Sequence, residues 1–200
     1  MGRRTSGPGF TLPEALVALA IVGLAAGVGA PVYLEWAGRA PLAAAARELT
    51  AEYGAMRFRA VAQNRAQGLW FRRLQEGWGF QRVRDGNGNG LRVAELRSGV
   101  DEILDAVRFP QDRRGRATYG FVEGGPFPGV PPRAEPLVPS DDPIRFGRSD
   151  IVSFKGNGHA SSGTVYLTDG RERMWAVVLY GRSGRVRAFR YDRREGRWKR

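Results

Sequence analysis

The chain has 200 residues, with 32 Lys and Arg against 20 Asp and Glu, for a net charge of +12. The absence of cysteine leaves no disulfide or thiolate chemistry, and the single histidine, His159, argues against a catalytic triad or a His-based metal site. The length suits one globular domain, and the basic excess points to anionic partners.

Residues 1–9 form a polar leader that carries Arg3 and Arg4 and ends at Gly9. An apolar segment follows, residues 10–32, in which Glu14 is the only ionisable side chain. At ~1.5 Å per residue its 23 residues reach ~34 Å, enough to cross a ~30 Å hydrocarbon core. The flanking arginines place the N-terminus on the cytoplasmic side. A carboxylate in such a helix costs ~2–3 kcal/mol at the bilayer centre and less near an end, so Glu14 needs a partner. Val28-Gly29-Ala30 could pass as a signal peptidase site, but Glu14 and the length of the apolar run argue against that.

The run Gly9-Phe10-Thr11-Leu12-Pro13-Glu14 closely resembles the leader junction of type IV prepilins and type II secretion pseudopilins. The resemblance implies cleavage by a prepilin peptidase between Gly9 and Phe10, then N-methylation of Phe10. It also implies that Glu14 pairs with the N-terminal amine of a neighbouring subunit during filament assembly. Pro13 departs from the usual branched aliphatic residue, yet proline is tolerated in the first turn of a helix. The implied location is the bacterial inner membrane, spanned once, with the C-terminal domain periplasmic. Pro31 marks either a loosened helix or the membrane exit.

Residues 33–64 continue as an amphipathic helix. Leu34, Leu42, Ala45, Ala46, Leu49, Tyr53 and Met56 recur at three- and four-residue spacings. Arg39, Arg47, Glu48, Glu52, Arg57 and Arg59 take the other positions.

The exported part, residues 65–200, reads as short strands without a second strong helix. Strands are expected at 69–74, 78–84, 91–97, 106–109, 117–122, 151–154, 164–167, 174–180, 186–191 and 197–199. A long N-terminal helix packed on antiparallel sheets follows, an α+β, pilin-like fold. Asp85-Gly86-Asn87-Gly88-Asn89-Gly90 opens like a calcium loop, but Leu96 stands where the bidentate acid belongs and Glu95 falls one residue early. A plain turn between strands is the better reading. Asp101-Glu102 and Asp141-Asp142 read as solvated surface, and His159 as exposed in a Gly-rich turn. Residues 124–143 hold seven of the twelve prolines, a loop for recognition or a variable surface insertion. No enzyme activity, metal or cofactor is expected.

Residues 181–200 contain nine basic and two acidic side chains, a net +7. On a strand through this segment, Arg185 and Arg187 share one face with Phe189 and Tyr191, while Val186 and Ala188 point the other way. Such a face suits the phosphates and bases of a nucleic acid. The run Phe154-Lys155-Gly156-Asn157-Gly158, the Gly163-Thr164-Val165 strand and Gly184-Arg185-Val186-Arg187 are similar to the C-terminal half of the GspH/FimT family. That resemblance implies a minor pseudopilin of a type II secretion pseudopilus or pilus-like filament, with other pilins as partners. The alternative it implies is a FimT-like minor pilin that binds DNA during uptake, with Arg185 and Arg187 in the motif and Arg182 and Arg190 beside it. An arginine-rich chain with structural arginines at these positions accounts for the same residues.

Overall fold

The computed structural model describes residues 11–110 and 117–200, with side chains described there except at 28–39. The Gly9–Phe10 junction, Leu34 and Arg39 therefore lie outside the described residues. Two compact units divide the chain, Met1–Ala40 and Pro41–Arg200. A long helix, α1 (Leu12–Gln63), is followed by antiparallel sheets. This is the α+β class expected, and it is compatible with a pilin-like fold.

In the first unit, the Glu14 side chain caps the start of α1. The Thr11 hydroxyl and backbone N–H donate to Glu14 Oε2 at 3.4 and 3.5 Å, and the N–H bond is one half of a capping box. Pro13 sits in the first turn, where its missing N–H leaves no helical bond unmade. Every side chain from 11 to 27 is exposed.

The second unit builds its core on the other half of α1. Leu42, Ala45, Ala46, Leu49, Tyr53, Met56 and Ala60 are buried along one stripe, the consequence of their spacing on a 3.6-residue period. After α1 come β1 (Gln67–Leu74), β2 (Gly77–Arg84), the short helix α2 (Val93–Ser98), β3 (Glu102–Ile103), β4 (Thr118–Tyr119), β5 (Ile144–Arg145) and β6 (Ile151–Phe154). The chain ends with β7 (Gly163–Thr168), β8 (Met174–Tyr180), β9 (Arg185–Asp192) and β10 (Arg197–Lys199). One sheet has the order β3-β2-β1-β6; the other is β10-β9-β8-β7-β4, with β5 also pairing β7. The α1 stripe packs on both, against Leu69, Phe71 and Phe154 of the first and Val165, Leu167 and Val177 of the second.

Several expected elements differ. Residues 91–97 are not a strand: Ala94, Glu95, Leu96 and Arg97 are strong helix formers, and α2 buries Leu96 against Trp70, Val83 and Ile151. Gly99 ends it in the left-handed region at φ 80°, its N–H donating to Glu95 O. A short apolar run has no period long enough to tell helix from strand. Consequently Asp85–Gly90 joins a strand to a helix and is not a hairpin turn. The expected strand at 106–109 supplies only a bridge from Arg108 to Phe80, and β3 takes the edge position instead. The strand expected at 117–122 is two residues long.

The proline-rich segment is no free insertion. Phe127 and Val130 are buried on the outer face of the second sheet, among Tyr166, Val178, Phe189 and Trp198. Trp198 Nε1 donates to Pro128 O at 2.8 Å, and the Tyr180 hydroxyl donates to Pro131 O at 3.2 Å. A sheet of β-branched and aromatic residues on both faces needs a second cover, and this loop provides it.

Candidate functional site

Charged side chains make defined contacts at several places in the structure. The first is the start of α1. Glu14 is exposed, and its carboxylate faces the backbone N–H of Thr11, the residue next to the expected cleavage junction. The Thr-x-x-Glu spacing of a capping box was the available signal for that contact. Large aliphatic side chains cover the helix on all sides here, with Leu12 77%, Leu19 69%, Ile21 63% and Leu24 75% exposed. A helix apolar all round is the kind found buried in a large assembly or a membrane. Among the described residues no helix is long and apolar enough to cross a membrane. The expected span, 10–32, extends beyond the described side chains at both ends.

The second is an ionic cluster that ties α1 to β2. Glu52 accepts from Arg82 Nε at 2.9 Å and Nη2 at 2.6 Å, and from Arg108 Nη1 at 2.7 Å. Arg108 Nη2 reaches Glu48 at 3.3 Å. Burial pushes the Glu52 carboxyl up, but the hydrogen bonds from Arg82 and Arg108 outweigh it and hold the group below its ordinary value. Glu52 is therefore not on a solvated helix face, as its position between the apolar residues suggested. Its partners stand 30 and 56 residues further on.

The Asp85–Gly90 loop is closed on itself. Asp85 accepts from the N–H groups of Asn87, Gly88 and Gly90. Asp101, expected at the surface, is buried and accepts from the N–H groups of Gly86 and Arg92. Glu95 takes the side-chain amides of Asn87 and Asn89. Short polar side chains that satisfy nearby backbone donors make a rigid turn. Among the described residues no group of three or more His, Cys, Asp or Glu could hold a metal. A cleft of about 570 Å³ beside the β1–β2 turn and β4 is lined by Arg73, Trp78, Phe109, Tyr119 and Asp141. Arg73 and Asp141 pair across it at 3.7 Å.

The third is the basic segment around β9. Arg182 and Arg185 are exposed and Arg187 is half-buried over the Tyr180 ring, 5.7 Å from its centroid. Arg190 lies on the opposite face of β9, with Val186 and Ala188, across from Trp175 and Lys199. The four are thus not on one face. Neither are the aromatics free: Phe189 is 6% exposed, and Tyr191 packs edge-on against Phe127 at 5.2 Å. The +7 charge of the C-terminal segment is also partly neutralised. Lys199 bonds Asp192 at 2.7 Å and also Glu195, and Arg197 bonds Glu195 at 2.5 Å. The Lys199 ammonium and the Glu195 N–H hold the Asp192 carboxyl down at about 2.

Sequence reading missed Arg57. From α1 its Nη1 donates to Gly184 O at 3.4 Å, under the turn between β8 and β9. Gly184 has φ 61°, and a Cβ there would lie 2.7 Å from Arg57 Cζ. The positive φ favours glycine at this place in the Gly-Arg-x-Arg run, and a side chain there would also have to displace the flexible Arg57 guanidinium. The two residues are 127 positions apart, so no local pattern could have joined them.

No curated protein and no solved structure matches the chain. Residues 8–30 match the family model described as the prokaryotic N-terminal methylation motif. That motif carries with it processing by a prepilin peptidase and assembly with other pilins, and it marks the chain as type IV pilin-like.

Proposed function

We propose that the protein is a minor pseudopilin of the GspH/FimT type, a structural subunit of a type II secretion pseudopilus or a type IV pilus-like filament. The leader is removed at Gly9–Phe10, Phe10 is methylated, and the mature chain crosses the inner membrane once with its β-rich domain in the periplasm. It works by assembly and contact rather than catalysis. The observation that carries this reading is the matched motif at residues 8–30, continuous with a helix whose described apolar side chains are uncovered. Two costly charges, the new amine and Glu14, become tolerable when assembly brings them together. A FimT-like role in DNA uptake is the second reading, favoured by the exposed Arg182 and Arg185, which have no carboxylate partner among the described residues.

The test is the N-terminus of the chain recovered from bacteria with and without the prepilin peptidase. A first residue of N-methyl-Phe10 that depends on the peptidase is the expected result. An unprocessed leader in the presence of active peptidase overturns the reading. Glu14→Ala should leave cleavage intact and reduce incorporation into filaments.

A further inference from the structure

Phe71 and Phe80 face each other across the β1–β2 hairpin and belong to the main core, their rings 5.8 Å apart. One cross-strand pair nearer the turn, Arg73 stands opposite Trp78. Strand alternation puts that pair on the same face as Phe71 and Phe80. Here the face borders the cleft of about 570 Å³. Phe109 and Tyr119 bring two more rings to its walls. Gly79 leaves room for the first of them, since a Cβ there would lie 3.3 Å from the Phe109 ring. Tyr119 packs edge-on against Phe71 at 5.4 Å and is 7% exposed. Its hydroxyl has no hydrogen-bond partner among the described residues, although a buried phenol usually finds one. The rim is polar. Arg73 and Asp141 pair at 3.7 Å with side chains 62% and 94% exposed, which leaves most of their donors and lone pairs to water. Glu76 is exposed beside them and pairs with no described residue. The Asp141 carbonyl accepts from Trp78 Nε1 at 3.4 Å and ties the edge of the indole to the rim.

We propose that this cleft binds a neutral glycan chain, with sugar rings stacked on Trp78 and Phe109 and hydroxyl or acetamide groups bonded by Arg73, Glu76 and Asp141. One face of a β-linked pyranose ring carries C–H groups, which the negative face of an aromatic ring attracts. Its edge carries neighbouring hydroxyls, which a guanidinium or a carboxylate can bond in pairs. The cleft has the volume of a small-ligand site, apolar rings with a few polar groups around them. The described rim sets two carboxylates against one guanidinium, a balance that disfavours a polyanion. An added peptide strand needs a longer sheet edge than β4 offers with its two residues. A periplasmic domain meets glycan chains in the cell wall; that placement rests on the reading above, whereas the chemistry of the cleft does not.

The experiment is isothermal titration calorimetry of the full chain, in micelles of a zwitterionic detergent that carries no sugar, with chitotetraose, which offers both hydroxyl and acetamide groups. Wild type should bind it saturably. Trp78→Ala and Asp141→Ala should each weaken binding about tenfold, the scale of one lost stacking contact or one lost charged hydrogen bond. Arg197→Gln, whose charge is paired with Glu195 away from the cleft, should leave binding unchanged. The Asp141 side chain is almost fully exposed, so its variant keeps the test decisive should Trp78→Ala loosen the hairpin. Folded wild type that shows no saturable binding overturns the proposal, and so does binding that both cleft variants retain. Decaproline bound in place of the sugar, and lost in Trp78→Ala, would assign the cleft to a proline-rich peptide and overturn the glycan. None of these outcomes touches cleavage at Gly9–Phe10, so a failure here is distinct from a failure of the filament reading.

Discussion

Glu52 shows why a single residue on a regular helix can be unreadable from its own neighbourhood. Four residues after Glu48, it occupies a position that an amphipathic pattern assigns to solvent, yet it is 7% exposed. What makes its burial tolerable is the pair of guanidinium groups from Arg82 and Arg108. Removing the carboxylate would strand two half-buried cations, so Glu52→Ala should cost about 2–4 kcal/mol in urea unfolding. The pH dependence has a definite sign. The folded-state pKa lies below the ordinary 4.5, so the ionic contribution is complete above that value and is lost as pH falls through the lowered one. The stability gap between wild type and Glu52→Gln should therefore close in acid; a gap that stays constant from neutral pH downward would show that the charge is not what holds α1 to β2. The apolar stripe from Leu42 to Met56 was legible because its period belongs to the helix alone. Glu52 was not, because its partners come from another element.

At the scale of elements, the same division holds. The strands that form the two hairpins, β1 with β2 and β8 with β9, are readable because each alternates or runs apolar between turn residues. The cover of the second sheet is not readable, since Phe127 and Val130 are isolated among prolines and make no period. Their role appears only in the contact with Trp198, which fills the outer core and donates its indole N–H to Pro128 O. Trp198→Ala deletes that bulk and leaves a carbonyl unpaired, with an expected loss of about 3–5 kcal/mol. Because Trp198 is also the bond between β10 and the loop, limited proteolysis should then cut within 124–143, where wild type resists. A variant with lowered stability but a still-protected loop would mean that the loop is held by Phe127 and Val130 without the indole.

Across the whole molecule, the apolar surface is distributed very unevenly between the two units. Among the described residues, the apolar cores draw all their members from Leu42 onward. Seven large aliphatic side chains between Leu12 and Leu24 are exposed instead. Each withholds about 1.5–3 kcal/mol that burial would return, which is a strong drive toward lipid or neighbouring subunits. That imbalance was legible in the sequence as an uninterrupted apolar run beside an amphipathic one. The contact of Arg57 with Gly184 was not, because α1 and the turn before β9 meet only in the folded chain. If the second unit owns its core, a chain beginning at Pro41 should remain a monomer in water without detergent. It should unfold in one cooperative transition, and its helical circular dichroism should fall by the share that residues 12–40 contribute to α1. The full chain should need detergent or partner subunits under the same conditions. A 41–200 chain that aggregates or melts without cooperativity would show that the first part of α1 is required for the fold itself, and not only for assembly.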